Sequence, residues 1–148
     1  TPFEDQTEES IFCEIGAEGI IRNNTIARSG TSGVFNSTSR DMEIAGNTFE
    51  DNWRDINLFA NCDAIKPAGT FYPTQIEYDL RNVNIHDNVI RNKMTRGETM
   101  LGVWSWGTSD CSANFKNPAT KNLRFTANRY QLPDVAATAW FWGAWKNF

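Results

Sequence analysis

Apolar and polar residues alternate with a period of two in four stretches of the chain, and the stretches align without a gap. They are GIIRNNTIARS (19–29), MEIAGNTFEDN (42–52), VNIHDNVIRNK (83–93) and LRFTANRYQLP (123–133). Each holds an asparagine at the same place: Asn24, Asn47, Asn88 and Asn128. Three residues before it stand Ile21, Ile44, Ile85 and Phe125, and five before stand Gly19, Met42, Val83 and Leu123. Two after it come Ile26, Phe49, Ile90 and Tyr130. The positions four and two before are mostly polar. This is the pattern of a half-buried strand that runs into a turn.

The asparagines are separated by 23, 41 and 40 residues. A unit of 23 suits one turn of a solenoid, and the longer units suit the same turn carrying an excursion. A second apolar stretch follows each asparagine: GVF (33–35), INLF (56–59), MLGVWSW (100–106) and TAWFWGAW (138–145). At least two strands per turn are expected; a third is less clear, the excursions standing in its place. The pattern never reverses as hairpins require, so parallel stacking of turns is predicted. Each enclosed Ile or Phe then contributes about 1.5–3 kcal/mol. Identical amides stacked about 4.8 Å apart can form a hydrogen-bonded ladder. Asparagine also tolerates the left-handed backbone of a sharp corner.

The pattern I-x-x-N-x-[IF], as Ile44, Asn47, Phe49 and again as Ile85, Asn88, Ile90, resembles the pectate-lyase-like superfamily. That resemblance implies an all-β chain folded as a right-handed parallel β-helix of about four turns with loop excursions. Residues 1–18 would be an acidic N-terminal segment or cap, and 19–148 the helix turns, incomplete at the C-terminus. It also implies secretion or display at the cell surface, and a polysaccharide as the partner. It is specific for fold rather than activity, since the superfamily holds lyases, hydrolases, epimerases, tailspikes and adhesins. The DPH-type signature of alginate epimerases is missing, as are the polygalacturonase motifs and the carboxylate cluster of the pectate-lyase calcium site.

Composition narrows the picture. Net charge is −4, so the basic excess of a nucleic-acid-binding surface is lacking. No apolar run approaches the roughly 20 residues of a membrane span. Glu4, Asp5, Glu8, Glu9, Glu14 and Glu18 leave residues 1–19 without a base, the mark of a solvated segment. Cys13, Cys62 and Cys111 have no metal-ligand spacing, so neither a metal nor another cofactor is expected. In an exported protein Cys62 and Cys111, each following the second strand of its turn, would form a disulfide and leave Cys13 buried and inert. Two matches to the glycosylation acceptor pattern, at Asn23 and Asn36, are discounted as chance products of polar repeats.

The alignment also predicts outward columns. Four before the asparagine are Ile20, Glu43, Asn84 and Arg124; two before are Arg22, Ala45, His86 and Thr126; three after are Ala27, Glu50, Arg91 and Gln131. His86 and Glu43 would lie close enough to share one ligand. A lyase needs a cation to stabilise a carboxylate and a base for the neighbouring proton. Arg22, Arg91 or Arg124 could be that cation and His86 the base, or Glu43 half of a hydrolytic carboxylate pair. The competing reading is an ordinary solvated sheet surface.

Phe35, Phe59 and Trp104 are expected to face outward as an aromatic strip that stacks on sugars, binds a protein or is covered by an excursion loop. Two functions follow. One is a secreted carbohydrate-active protein that binds or cleaves an acidic polysaccharide. The other is a non-catalytic structural or adhesive β-helix that assembles with other chains. In either case the C-terminal end is expected to be covered by another chain, by a further part of this chain or by a symmetry copy.

Overall fold

The computed structural model describes residues 9–14, 16–61, 80–93, 101–106, 118–132, 140–142 and 145–146. These form an all-β structure of mostly parallel strands in three stacked sheets, consistent with a β-solenoid. Sheet A contains β1 (Ile11–Glu14), β4 (Ser32–Ser37), β7 (Arg54–Asn61), β10 (Leu101–Trp106), β13 (Trp140–Trp142) and β14 (Trp145–Lys146) in that order. Sheet B contains β2 (Ala17–Arg22), β5 (Arg40–Ala45), β8 (Val83–His86) and β11 (Leu123–Thr126). Sheet C contains β3 (Thr25–Ala27), β6 (Thr48–Glu50), β9 (Val89–Arg91) and β12 (Arg129–Gln131). One short 3-10 turn, Pro118–Lys121, precedes β11.

The third strand, unclear in the sequence, lies inside the aligned segments themselves. Each segment breaks at its asparagine and passes from sheet B to sheet C. The residue just before supplies the corner with left-handed backbone: Asn23 (φ 58°), Gly46 (62°), Asp87 (55°) and Ala127 (53°). Asn and Asp adopt this region at little cost and glycine at none, whereas Ala127 is there against its preference. A second such column, Glu18, Asp41, Asn82 and Asn122, lies at the start of sheet B.

Register follows the alignment. Ile21, Ile44, Ile85 and Phe125 are successive partners in sheet B, and Ile26, Phe49, Ile90 and Tyr130 in sheet C. These side chains point inward with Val34, Ile56 and Leu58 from sheet A to form the core. Met42 fills the space that Gly19 leaves beside it.

The four asparagines form the expected ladder. Nδ2 of Asn24 donates to Oδ1 of Asn47 (3.1 Å), Asn47 to Asn88 (3.0 Å), and Asn88 to Asn128 (2.9 Å). Each acceptor Oδ1 also takes the backbone N–H of the preceding asparagine at 2.9–3.0 Å. Asn47, Asn88 and Asn128 donate in addition to the carbonyls of Ile21, Ile44 and Ile85. At the far end Asn128 hydrogen-bonds the half-buried Tyr130 phenol, whose burial pushes its pKa up to about 12. Asn47 and Asn88 are buried, while Asn24 is exposed and Asn128 half-buried.

Sheet A differs from expectation in two ways. Aligning Phe35 with Phe59 puts them in one column, but the register pairs Val34 with Ile56 and Phe35 with Asn57. Phe59 faces Ser37, two residues further along. The reason is β7, which begins at Arg54 and gives sheet A one inward residue, Ile56, ahead of Leu58. Also, β14 pairs with β13 antiparallel, so the parallel repeat does not continue there and the chain itself covers the edge of β13. Within the acidic segment, β1 joins sheet A beside β4.

Candidate functional site

The outward face of sheet B carries the strongest polar constellation. Arg22 (β2), Glu43 (β5) and His86 (β8) come from three adjacent strands, and register puts Arg22 opposite Ala45 and Ala45 opposite His86. The small Ala45 leaves room for Glu43 to reach both neighbours diagonally. His86 Nε2 lies 2.9 Å from Glu43 Oε1, and Arg22 Nη2 pairs with Glu43 Oε2. Asp87, at the corner that follows β8, approaches the other ring nitrogen, Nδ1, at 2.7 Å.

The electrostatics follow from these contacts. Hydrogen bonds from Arg22 and then His86 hold the Glu43 carboxyl below its usual range. Asp87 first and Glu43 second favour the protonated ring, raising His86 above its ordinary value. Each contact is one that the protonated ring, with a hydrogen on both nitrogens, makes as donor. The two carboxylates contact opposite ring nitrogens rather than a shared point, and among the described residues no cluster of three or more His, Cys, Asp or Glu side chains is arranged to hold a metal ion.

The remaining candidates lie elsewhere. Arg124 (β11) stands in register with Asn84, not His86, and its Nε donates to Asn122 Oδ1 at 2.7 Å. Arg91 is on sheet C, where it bridges Gln131 (2.9 Å) and Glu50 (3.1 Å). On sheet A, Phe35 and Phe59 are half-buried, with ring centroids 5.7 Å apart and tilted by 49°. Trp104 is the register partner of Phe59, but its side chain lies outside the described residues. So do Cys62 and Cys111; Cys13 is half-buried, and burial raises its thiol pKa.

Three features escaped sequence reasoning. Asp87 is one residue from His86, a spacing that normally sends strand side chains to opposite faces. Its left-handed corner turns it back toward the ring. Phe12 (β1) stacks on Phe35, centroids 5.3 Å apart and 13° from parallel, and is 53% exposed. It lay hidden in a segment that its acids marked as solvated.

The third feature is a buried acid. Asp55 is fully buried at the start of β7, where its oxygens accept from Asn52 Nδ2 (2.9 Å) and Asn92 Nδ2 (3.2 Å). Desolvation pushes its pKa up to about 7, against the lowering effect of those amides. The same Asn52 accepts from the Ser29 N–H and donates to the Ile26 carbonyl, tying a second corner together. Of the two glycosylation matches, Asn36 is buried and bonded to Ser39, and Asn23 is exposed.

Among the described residues, no helix is long and apolar enough to cross a membrane. Compared with known proteins, the chain matches no family model, no curated protein and no solved structure.

Proposed function

We propose that the chain is a right-handed parallel β-helix of pectate-lyase-like type, about four turns long, that binds an extracellular acidic polysaccharide on the outer face of sheet B. One observation carries this reading: Arg22, Glu43 and His86 meet across three strands on the outward face of the sheet, beside an isoleucine, Ile20, that is 68% exposed. Sugars offer paired hydroxyls, which suit planar charged groups, and apolar ring faces, which suit an exposed aliphatic side chain. Arg22 supplies the fork for a uronate carboxylate. Binding is favoured over cleavage, because both ring nitrogens are engaged by carboxylates, which leaves no free lone pair for the proton that a lyase must remove.

The second reading is a structural or adhesive solenoid that assembles with other chains. It is favoured by the Phe12–Phe35 pair, a stacked aromatic patch on the edge strand β1 in which Phe12 is 53% exposed. The interstrand pairs Arg22–Glu43 and Arg91–Glu50 likewise serve the scaffold itself.

The deciding experiment is titration with polygalacturonate, alginate and a neutral glucan, with ultraviolet absorbance of unsaturated ends followed in parallel. Binding of a uronate polymer that weakens at least tenfold in Arg22→Ala, without new absorbance, is expected. Silence toward every polymer, with a solution mass above that of one chain, would instead favour the assembling scaffold.

A further inference from the structure

We propose that His86 is a proton-operated latch: when the ring loses one proton it releases Asp87 and keeps its hydrogen bond to Glu43. An imidazolium has two N–H donors, whereas the neutral ring has one donor and one lone pair. Both nitrogens of His86 face carboxylate oxygens, Asp87 at 2.7 Å and Glu43 at 2.9 Å. Only the cation satisfies both. Deprotonation therefore sets a lone pair against one of the two carboxylates, and that contact opens.

Geometry decides which. The Glu43 side chain is 27% exposed and also fixed by Arg22 from β2, so it has little freedom to withdraw. The Asp87 side chain is 66% exposed, at a corner, and can rotate into water. The proton thus leaves Nδ1 for solvent, and Nε2–H goes on donating to Glu43. Among the described residues, no other charged side chain contacts the ring. The register partners of His86 are Ala45 on β5 and Thr126 on β11. Arg124 on β11 is turned to Asn122, and Arg40 pairs with Asp41 at the far end of β5. The raised His86 pKa, caused first by Asp87 and then by Glu43, agrees with a clamp on the cation.

The step changes the charge of the face. Below the transition Arg22, Glu43, His86 and Asp87 sum to zero; above it they sum to −1, with a free carboxylate at the corner. A polyanion would bind less tightly above the transition, a consequence that rests on the polysaccharide reading. The latch itself does not.

His86 is the one histidine in the chain, so its ring signals need no assignment. The experiment is a pH titration of the ¹⁵N-labelled full chain by NMR, without glycan. Expected are a midpoint above 6.5, a neutral form with hydrogen on Nε2, and a downward shift of the midpoint in Asp87→Asn. A neutral ring with hydrogen on Nδ1, or a midpoint unmoved in Asp87→Asn, would overturn the latch. The ring tautomer is read in the unmodified protein, so the test survives a variant that misfolds. A failure to bind any uronate would count against the function and leave this result intact.

Discussion

Truncating Asn88 to alanine removes the centre of the ladder. Its side chain makes four hydrogen bonds: two accepted from the Asn47 backbone N–H and Nδ2, two donated to the Ile44 carbonyl and Asn128 Oδ1. Their lengths are 2.9–3.0 Å, and Asn47 and Asn88 are each 1% exposed. Asn47 Nδ2 retains the Ile21 carbonyl, and Asn128 Oδ1 retains the Asn88 N–H. The Asn47 backbone N–H loses its acceptor in a place water does not reach. One orphaned buried donor costs about 1–3 kcal/mol and each of the three other lost bonds about 0.5–1.5, so a loss of about 2.5–7.5 kcal/mol is expected.

Asn24→Ala is the internal control. It deletes two donated bonds at an exposed end, while Asn47 Oδ1 keeps the Asn24 N–H, so under about 1 kcal/mol is expected. Urea unfolding, followed by tryptophan fluorescence and circular dichroism, measures both. Equal losses at Asn24 and Asn88 would refute the reasoning, since it assigns the cost to burial and not to the amide.

Two other outcomes test the fold. The folded chain holds a proton on Asp55 that the unfolded chain releases near 3.8, so the Asp55 contribution to stability falls as pH rises from 3.8 to about 7 and then levels off. The total is roughly 4 kcal/mol, and Asp55→Asn should flatten the urea midpoint between about pH 4 and about pH 8; a wild-type midpoint that rises over that range would contradict it. Gly33→Ala places a Cβ 2.8 Å from the Asp55 carbonyl oxygen and 3.1 Å from Ile26 and Phe49, and should lower stability by about 1–3 kcal/mol. Gly16→Ala meets only the movable Ser39 hydroxyl at 3.3 Å, and a comparable loss there would show that close approach is not the cause.

The sequence made the repeat legible because its period-2 pattern and its asparagine recur in phase. Every column of sheets B and C predicted from Asn24, Asn47, Asn88 and Asn128 is a register column. Sheet A is harder to read: it has no in-phase marker, so Phe35 aligns with Phe59 although its register partner is Asn57. The third strand was obscured because a three-residue strand such as Val89–Arg91 is too short to show alternation of its own. At the candidate site, the meeting of His86, Glu43 and Arg22 was foreseeable from column arithmetic. Asp87 was not, because its approach depends on a positive φ that sequence spacing does not encode. Arg124 shares the outward column but bends to Asn122, a choice made by local hydrogen bonding.

Successive rungs of the asparagine ladder join residues 23, 41 and 40 apart, yet their hydrogen bonds are the same to within 0.2 Å. The corner is therefore indifferent to how much chain intervenes. Lengthening a closed loop from 23 to 41 residues adds only about 0.5 kcal/mol of closure entropy. A single buried rung outweighs that several times over. Insertion and deletion between strands are thus nearly neutral for folding, while substitution at the buried asparagines Asn47 and Asn88 is not. A scaffold of this kind can exchange its loops freely during evolution, and new binding surfaces would be acquired there without renegotiating the core.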